Sequence, residues 1–230
     1  MFQKVIFCLL FLFIPLNRAA VNTVANSPFT SSEPVSELAA GEQLFEEMEL
    51  GGTVNFIAFR QAVAGYNRIK EKSKPILTLI DFSKPSTEKR FFVFDMEKKK
   101  LLYSSVVAHG RNSGENYATS FSNQYGSYKS SLGFYLTENT YQGGNGYSLI
   151  LNGLEKGIND KAKARSIVVH GAPYANPSVA ASGRLGRSLG CPALPTKLAR
   201  PIINTIKDGS VMFIYANNPH YLAQSNILHK

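Results

Sequence analysis

The sequence predicts a mainly β protein, a sandwich or barrel with a short N-terminal helical lead-in and one later helix. Short apolar, β-branched runs recur between residues 75 and 216, with little helix-periodic sequence between them. Helical spacing is confined to the stretch before residue 72 and to residues 196–207. The composition calls for a packed core, because 44% of the residues are hydrophobic and only 18% are charged. A chain of 230 residues holds one domain of ordinary size with a small accessory piece. Two cysteines build neither a disulfide framework nor a zinc ribbon.

The first element is a targeting segment. Lys4 precedes ten apolar residues, Val5 to Ile14, and Ala19-Ala20 supply a small-residue exit. As a helix that run rises about 15 Å, half the hydrocarbon thickness of a bilayer, so it reads as a secretory signal over residues 1–20. Cleavage is expected after Ala20 or Ala25, and the exported chain belongs in the periplasm or cell envelope. Cys8 sits inside the apolar run with no small residues before it, unlike a lipoprotein signal. Losing Lys4 and Arg18 takes Lys+Arg from 25 to 23 against 16 Asp+Glu, a net charge of +7. Such a chain suits an anionic partner, and wall polymer fits better than nucleic acid, for which no recognition motif is present.

Residues 21–35 are rich in Ser, Thr, Asn and Pro and read as a flexible leader. Residues 36–72 form the helical lead-in. The first helix, 36–48, stops at Gly51-Gly52, and the second carries Phe56, Phe59, Val63, Tyr66 and Ile69 along one face. From Pro75 the period changes. Strands are expected at 76–82, at 91–96 and 101–108 (a hairpin around the charged tip 97–100), then at 132–137, 147–151 and 166–169. The later helix spans 196–207, with Thr196 as its cap and Pro201 as a kink, and 211–216 closes the main domain of 75–216. Residues 217–230 read as a polar tail holding His220 and His229. Two stretches, 109–131 and 170–195, are too long for simple turns, and long ordered loops in compact domains carry function.

The second of those loops holds Cys191, the one cysteine left after signal cleavage. A thiol of ordinary pKa is about 3% ionised at neutral pH, so a nucleophilic cysteine needs a neighbouring base. His170 is the first candidate, since it ends the apolar run Ile167-Val168-Val169 and is followed by the uncrowded Gly171. His109 ends the analogous run Val106-Val107-Ala108 and is the second, carried otherwise as a substrate-binding residue. In Ser188-Leu189-Gly190-Cys191-Pro192, the amides of Leu189, Gly190 and Cys191 are placed to converge on an oxyanion, Gly190 gives close approach, and Ser188 orients its neighbours. The bland alternative is a buried, inert cysteine behind a glycine turn.

The span His170-Gly171 … Ser188-x-Gly190-Cys191 resembles the motif of the L,D-transpeptidases of peptidoglycan, the YkuD-like family. ENYATSFSNQYGSYKSSLGFY, GNGYSLILNGLEKGIND, SIVVHGAPY and GRLGRSLGCPALP resemble its murein branch with a Ser-x-Gly-Cys-Pro-Ala motif, over about 75–216. The resemblance implies a Cys191 nucleophile, a His170 base, and an oxyanion hole of Gly190 and the Cys191 amide with Ser188 in support, and Gly171 is grouped with that support set. It implies a thioester acyl-enzyme on a tetrapeptide stem, loss of the terminal D-alanine, and transfer to an acceptor amine as a 3→3 cross-link, with no metal or organic cofactor. With water as acceptor the same site is an L,D-carboxypeptidase. Two departures stand out: Leu189 replaces the histidine many members carry before Gly-Cys, and Ala193 replaces an Arg or Asn two places after the cysteine. Arg184 and Arg187 are therefore assigned to the substrate carboxylate, with Tyr174 lining the cleft. A sortase-like protein transpeptidase and a non-catalytic wall-binding module are the competing readings. Arg200 falls in the later helix and counts against the first.

Overall fold

The computed structural model describes residues 35–229; the targeting segment and nearly all of the leader lie outside that range. Two helices come first, α1 (Val35–Glu47) and α2 (Phe56–Arg68). The described strands are β1 (Ile76–Asp81), β2 (Phe91–Asp95), β3 (Lys100–Ser105), β4 (Gly133–Gly143), β5 (Gly146–Gly153), β6 (Val168–Gly171), β7 (Ala193–Leu194) and β8 (Val211–Tyr215). The later helix is α4 (Thr196–Ile206), flanked by two short ones, α3 (Pro177–Ala180) and α5 (Pro219–Gln224). Among the described residues no helix is long and apolar enough to cross a membrane.

The strands form one eight-stranded sheet in the order β3-β2-β1-β8-β4-β5-β6-β7. Most neighbours are antiparallel, as the short runs and tight turns dictate, but β1 pairs with β8 and β6 with β7 in parallel. The sheet nearly closes on itself. Ala108, just past β3, exchanges both backbone hydrogen bonds with Ala193 of β7, at 2.9 and 3.2 Å, and a second bridge joins Gly110 to Ser188, so the two outer edges meet. That makes the architecture a barrel rather than two separate sheets.

Strands β1, β2 and β8 are buried at every position. Their runs, ILTLID, FFVFD and VMFIY, lack alternation, and α2 packs against β1 and β8 while α4 packs against β1. Edge strand β3 alternates in burial instead. Asn55 caps α2 by accepting from the Ile57 and Ala58 amides at 3.0 and 3.4 Å. Phe59, Val63, Tyr66 and Ile69 of the expected stripe are buried, and Phe59 meets Phe94 of β2 edge-on.

Two local expectations are corrected. Thr196 begins α4 instead of capping it; Pro195 holds the cap position and makes no side-chain cap bond. Residues 217–229 are packed rather than a free polar tail. Tyr221, Ile227 and Leu228 are buried, and the Glu155 carboxylate accepts from the Tyr221 hydroxyl at 3.1 Å and from the Ser225 hydroxyl.

Candidate active site

Parallel pairing of β6 with β7 sets His170 opposite Ala193, two residues beyond Cys191. The Val168 amide lies 3.5 Å from Cys191 Sγ, and Sγ lies 3.6 Å from the Ser166 carbonyl. Cys191 and His170 thus open, one pleat apart, onto one cleft of about 370 Å³. Arg165, Tyr174, Arg187 and Ser188 line the same cleft.

His170 is buried, and its Nδ1 sits 3.1 Å from the Gly171 carbonyl. A carbonyl only accepts, so Nδ1 carries the hydrogen and the Nε2 lone pair is left over. Burial holds the imidazolium below its ordinary pKa, so the ring is a neutral base. Cys191 is 8% exposed, and burial pushes its thiol up; hydrogen bonding from the Val168 amide and the charge of Arg165 oppose that rise. The resting pair is therefore thiol and imidazole. The sequence reading called for a base beside the thiol; desolvation of both groups leaves that pair uncharged.

Gly190 has φ 129°, in the region that favours glycine, and an added Cβ would lie 2.9 Å from the Lys129 carbonyl. Its amide is not free. It donates to Ser188 Oγ at 3.1 Å, and that hydroxyl donates to the Cys191 carbonyl at 2.6 Å, pinning the turn. The Leu189 and Cys191 amides bond to no other residue among the described ones, and the Cys191 amide faces its own thiol. Of the three amides expected to converge, these two keep donors for an oxyanion. Gly171 lies behind the site, where an added Cβ would press on Ala199 Cβ at 2.8 Å.

His109 is absent from the cleft. It is fully buried under Phe82, its Nδ1 accepts from Arg90 at 2.8 Å, and its Nε2 donates to the Gly114 carbonyl at 3.2 Å. Burial and the neighbouring guanidinium lower it to about 4. Arg187 lines the cleft, yet its Nη1 is already engaged by Glu115 at 2.6 Å and by the Arg111 and Gly114 carbonyls, both at 3.0 Å. Arg184 pairs with the same carboxylate at 2.9 Å and does not reach the cleft. The 109–131 segment is built on hydroxyls: Ser130 Oγ accepts from the Gly110 amide at 3.0 Å and donates to the Gly190 carbonyl at 3.1 Å. An added Cβ at Gly110 would stand 2.9 Å from Gly190 Cα, so this loop backs the turn that carries the thiol. Sequence reasoning missed Arg165 and Asn145, both of which line the cleft.

The family model for the L,D-transpeptidase catalytic domain matches residues 51–215. The chain belongs to this family. L,D-transpeptidase matches among solved structures include one from Mycobacterium smegmatis (13% identity, TM-score 0.38, 62% of this chain and 59% of that one). L,D-transpeptidase 3 from Mycobacterium tuberculosis is similar at 14% identity and TM-score 0.39, over 61% of each chain. One from Stackebrandtia nassauensis is similar at 14% identity and TM-score 0.37, over 82% of each. The alignment thus spans about three fifths of the M. smegmatis and M. tuberculosis chains. No curated protein matches this chain at significant similarity.

Proposed function

We propose that this L,D-transpeptidase-family domain is a cysteine acyltransferase of peptidoglycan stem peptides in the cell envelope, with Cys191 as nucleophile and His170 as base. What carries the reading is the pairing of an unshared His170 Nε2 with a cysteine thiol on one cleft, beside two amides that bond to no other described residue. The reaction written on these residues balances. His170 Nε2 takes the Sγ proton as sulfur bonds to the carbonyl carbon of the third stem residue. The Leu189 and Cys191 amides receive the oxyanion. The carbon–nitrogen bond to the terminal D-alanine breaks, and its nitrogen leaves with the proton held by His170. An acceptor amine then gives a proton to His170 and bonds to the carbonyl carbon. The carbon–sulfur bond breaks and the thiolate recovers the proton. Water in place of the amine gives trimming at the same site.

Because both groups rest uncharged, transfer of the thiol proton to His170 belongs to the catalytic cycle and not to the resting state. Cys191→Ala is expected to abolish D-alanine release from tetrapeptide-bearing wall fragments while the folded far-UV spectrum stays. An unchanged rate overturns the assignment. The burial of Cys191 supports a second reading, a wall-binding module with an inert thiol. A Cys191 that resists alkylation until the chain is denatured decides for that module.

A further inference from the structure

The cleft contains a cation whose surroundings differ from those of the other arginines near it. Arg165 is half-buried in the turn before β6. Its Nη1 donates to the Ser122 carbonyl at 2.8 Å and to Ser131 Oγ at 2.6 Å, and its Nη2 to Ser127 Oγ at 3.2 Å and the Lys129 carbonyl at 2.8 Å. Those bonds use four of the five guanidinium N–H groups. Every acceptor is neutral, and no carboxylate lies within ion-pair distance among the described residues. Arg184 and Arg187, by contrast, share Glu115. The Arg165 fork lies against the nucleophile turn, since an added Cβ on Gly190 would be 3.6 Å from Nη2.

We infer that Arg165 is a positioning residue for the proposed acyl transfer: its guanidinium, fixed by the 122–131 segment and uncompensated by any described carboxylate, is the standing positive charge that stabilises the anion formed at Cys191. It is not a ligand for the substrate carboxylate, because its terminal N–H groups are spent on the loop. This inference rests on the proposed role of Cys191. Ala193 leaves no cation two places after the cysteine, and Arg165 brings one to the same turn from a distant part of the chain. An aligned charge of this kind costs no reorganisation when the sulfur ionises. The other groups facing the thiol are His170 from β6, Tyr174, whose hydroxyl is pushed up to about 12 and stays neutral, and Arg187. Lys129, on the packed 122–131 segment, donates to Ser120 Oγ at 2.7 Å.

The test is the pH profile of Cys191 alkylation by iodoacetamide in the full chain, beside steady-state turnover of tetrapeptide wall fragments. Arg165→Gln keeps a hydrogen-bonding head without the charge, and Arg165→Lys keeps the charge. Arg165→Gln is expected to slow alkylation at neutral pH about tenfold and to lower kcat similarly with KM within about twofold, while Arg165→Lys stays within about threefold of wild type. Ser131→Ala, which removes one loop bond and no charge, is expected to leave the profile unmoved. Equal profiles for Arg165→Gln and Arg165→Lys overturn the inference, as does a Ser131→Ala profile that reproduces the Arg165→Gln shift. Should neither Arg165 variant fold, the wild-type profile decides: raising salt from 0.05 to 1 M is expected to slow neutral-pH alkylation about threefold or more, and a salt-independent rate overturns the inference. Alkylation needs no substrate, so it tests Arg165 even if Cys191→Ala leaves turnover intact, the result that removes the catalytic reading.

Discussion

Residues 106–110 and 167–171 are near twins in sequence, each an apolar run ending in His-Gly, and they end in opposite chemistry. At His170 a carbonyl takes the Nδ1 hydrogen, leaving Nε2 as a base facing the cleft. At His109 a buried guanidinium donates to Nδ1, and Nε2 spends its hydrogen on Gly114. One ring keeps an unshared lone pair; the other has both nitrogens committed. What makes a histidine available for chemistry is therefore the partner chosen by its second nitrogen, a property of tertiary structure that the local sequence does not encode.

The comparison is broken most directly by exchanging the losses. His170→Ala is expected to lower turnover about 10²- to 10⁴-fold with little change in stability. A variant that keeps wild-type rates removes the base assignment. His109→Ala is expected to do the reverse. It costs about 2–4 kcal/mol of unfolding free energy by opening a cavity and stranding an Arg90 donor, and leaves turnover of the folded protein within about tenfold. Denaturant titration beside kcat separates the two outcomes.

The same substitution sharpens the pH dependence of stability. His109 is held near 4 in the fold against about 6.5 unfolded, so the unfolded chain binds the proton more readily. Its contribution is fully present above about 6.5 and is lost as the pH falls through about 4, by about 3 kcal/mol in all. His109→Ala is expected to flatten most of that slope. His170, displaced in the same direction, keeps a residual part. The smallest effects belong to the arginine pair. Arg187→Ala is expected to raise KM about threefold to tenfold through lost order at the cleft wall, while Arg184→Ala changes stability by less than about 0.5 kcal/mol and leaves KM alone. Equal KM effects would place both at the substrate.

Much of the fold was legible because it is local. Apolar β-branched runs became β1, β2, β5 and β8, the 3.6-residue stripe became α2, and the charged tip after Phe94 became the β2–β3 hairpin. The two-residue strand β7 was not legible, since Ala193-Leu194 has no pattern of its own and is a strand only because β6 lies beside it. Parallel pairing of β1 with β8 escaped for the same reason. At the site, Cys191 and His170 stood out by residue type and setting. Arg165 did not, because its four acceptors lie in a hydroxyl-rich stretch more than thirty residues earlier. The amide of Gly190 looked free until Ser188 was seen to occupy it.

The position of β8 carries a consequence for timing. It is the last of the described strands in the chain and also a central one, joined to β1 on one side and β4 on the other. Until residues 211–215 arrive, β3-β2-β1 and β4-β5-β6-β7 are two half-sheets with no strand between them, and holding them together through the 108–193 and 110–188 bridges means closing a long loop against its entropy. The cysteine and the histidine belong to the second half-sheet, and their backing loop joins it to the first. A chain without β8 therefore holds every group the chemistry needs but not the closed sheet that seats the 109–131 loop behind them. Arrival of β8 is the event that arms it.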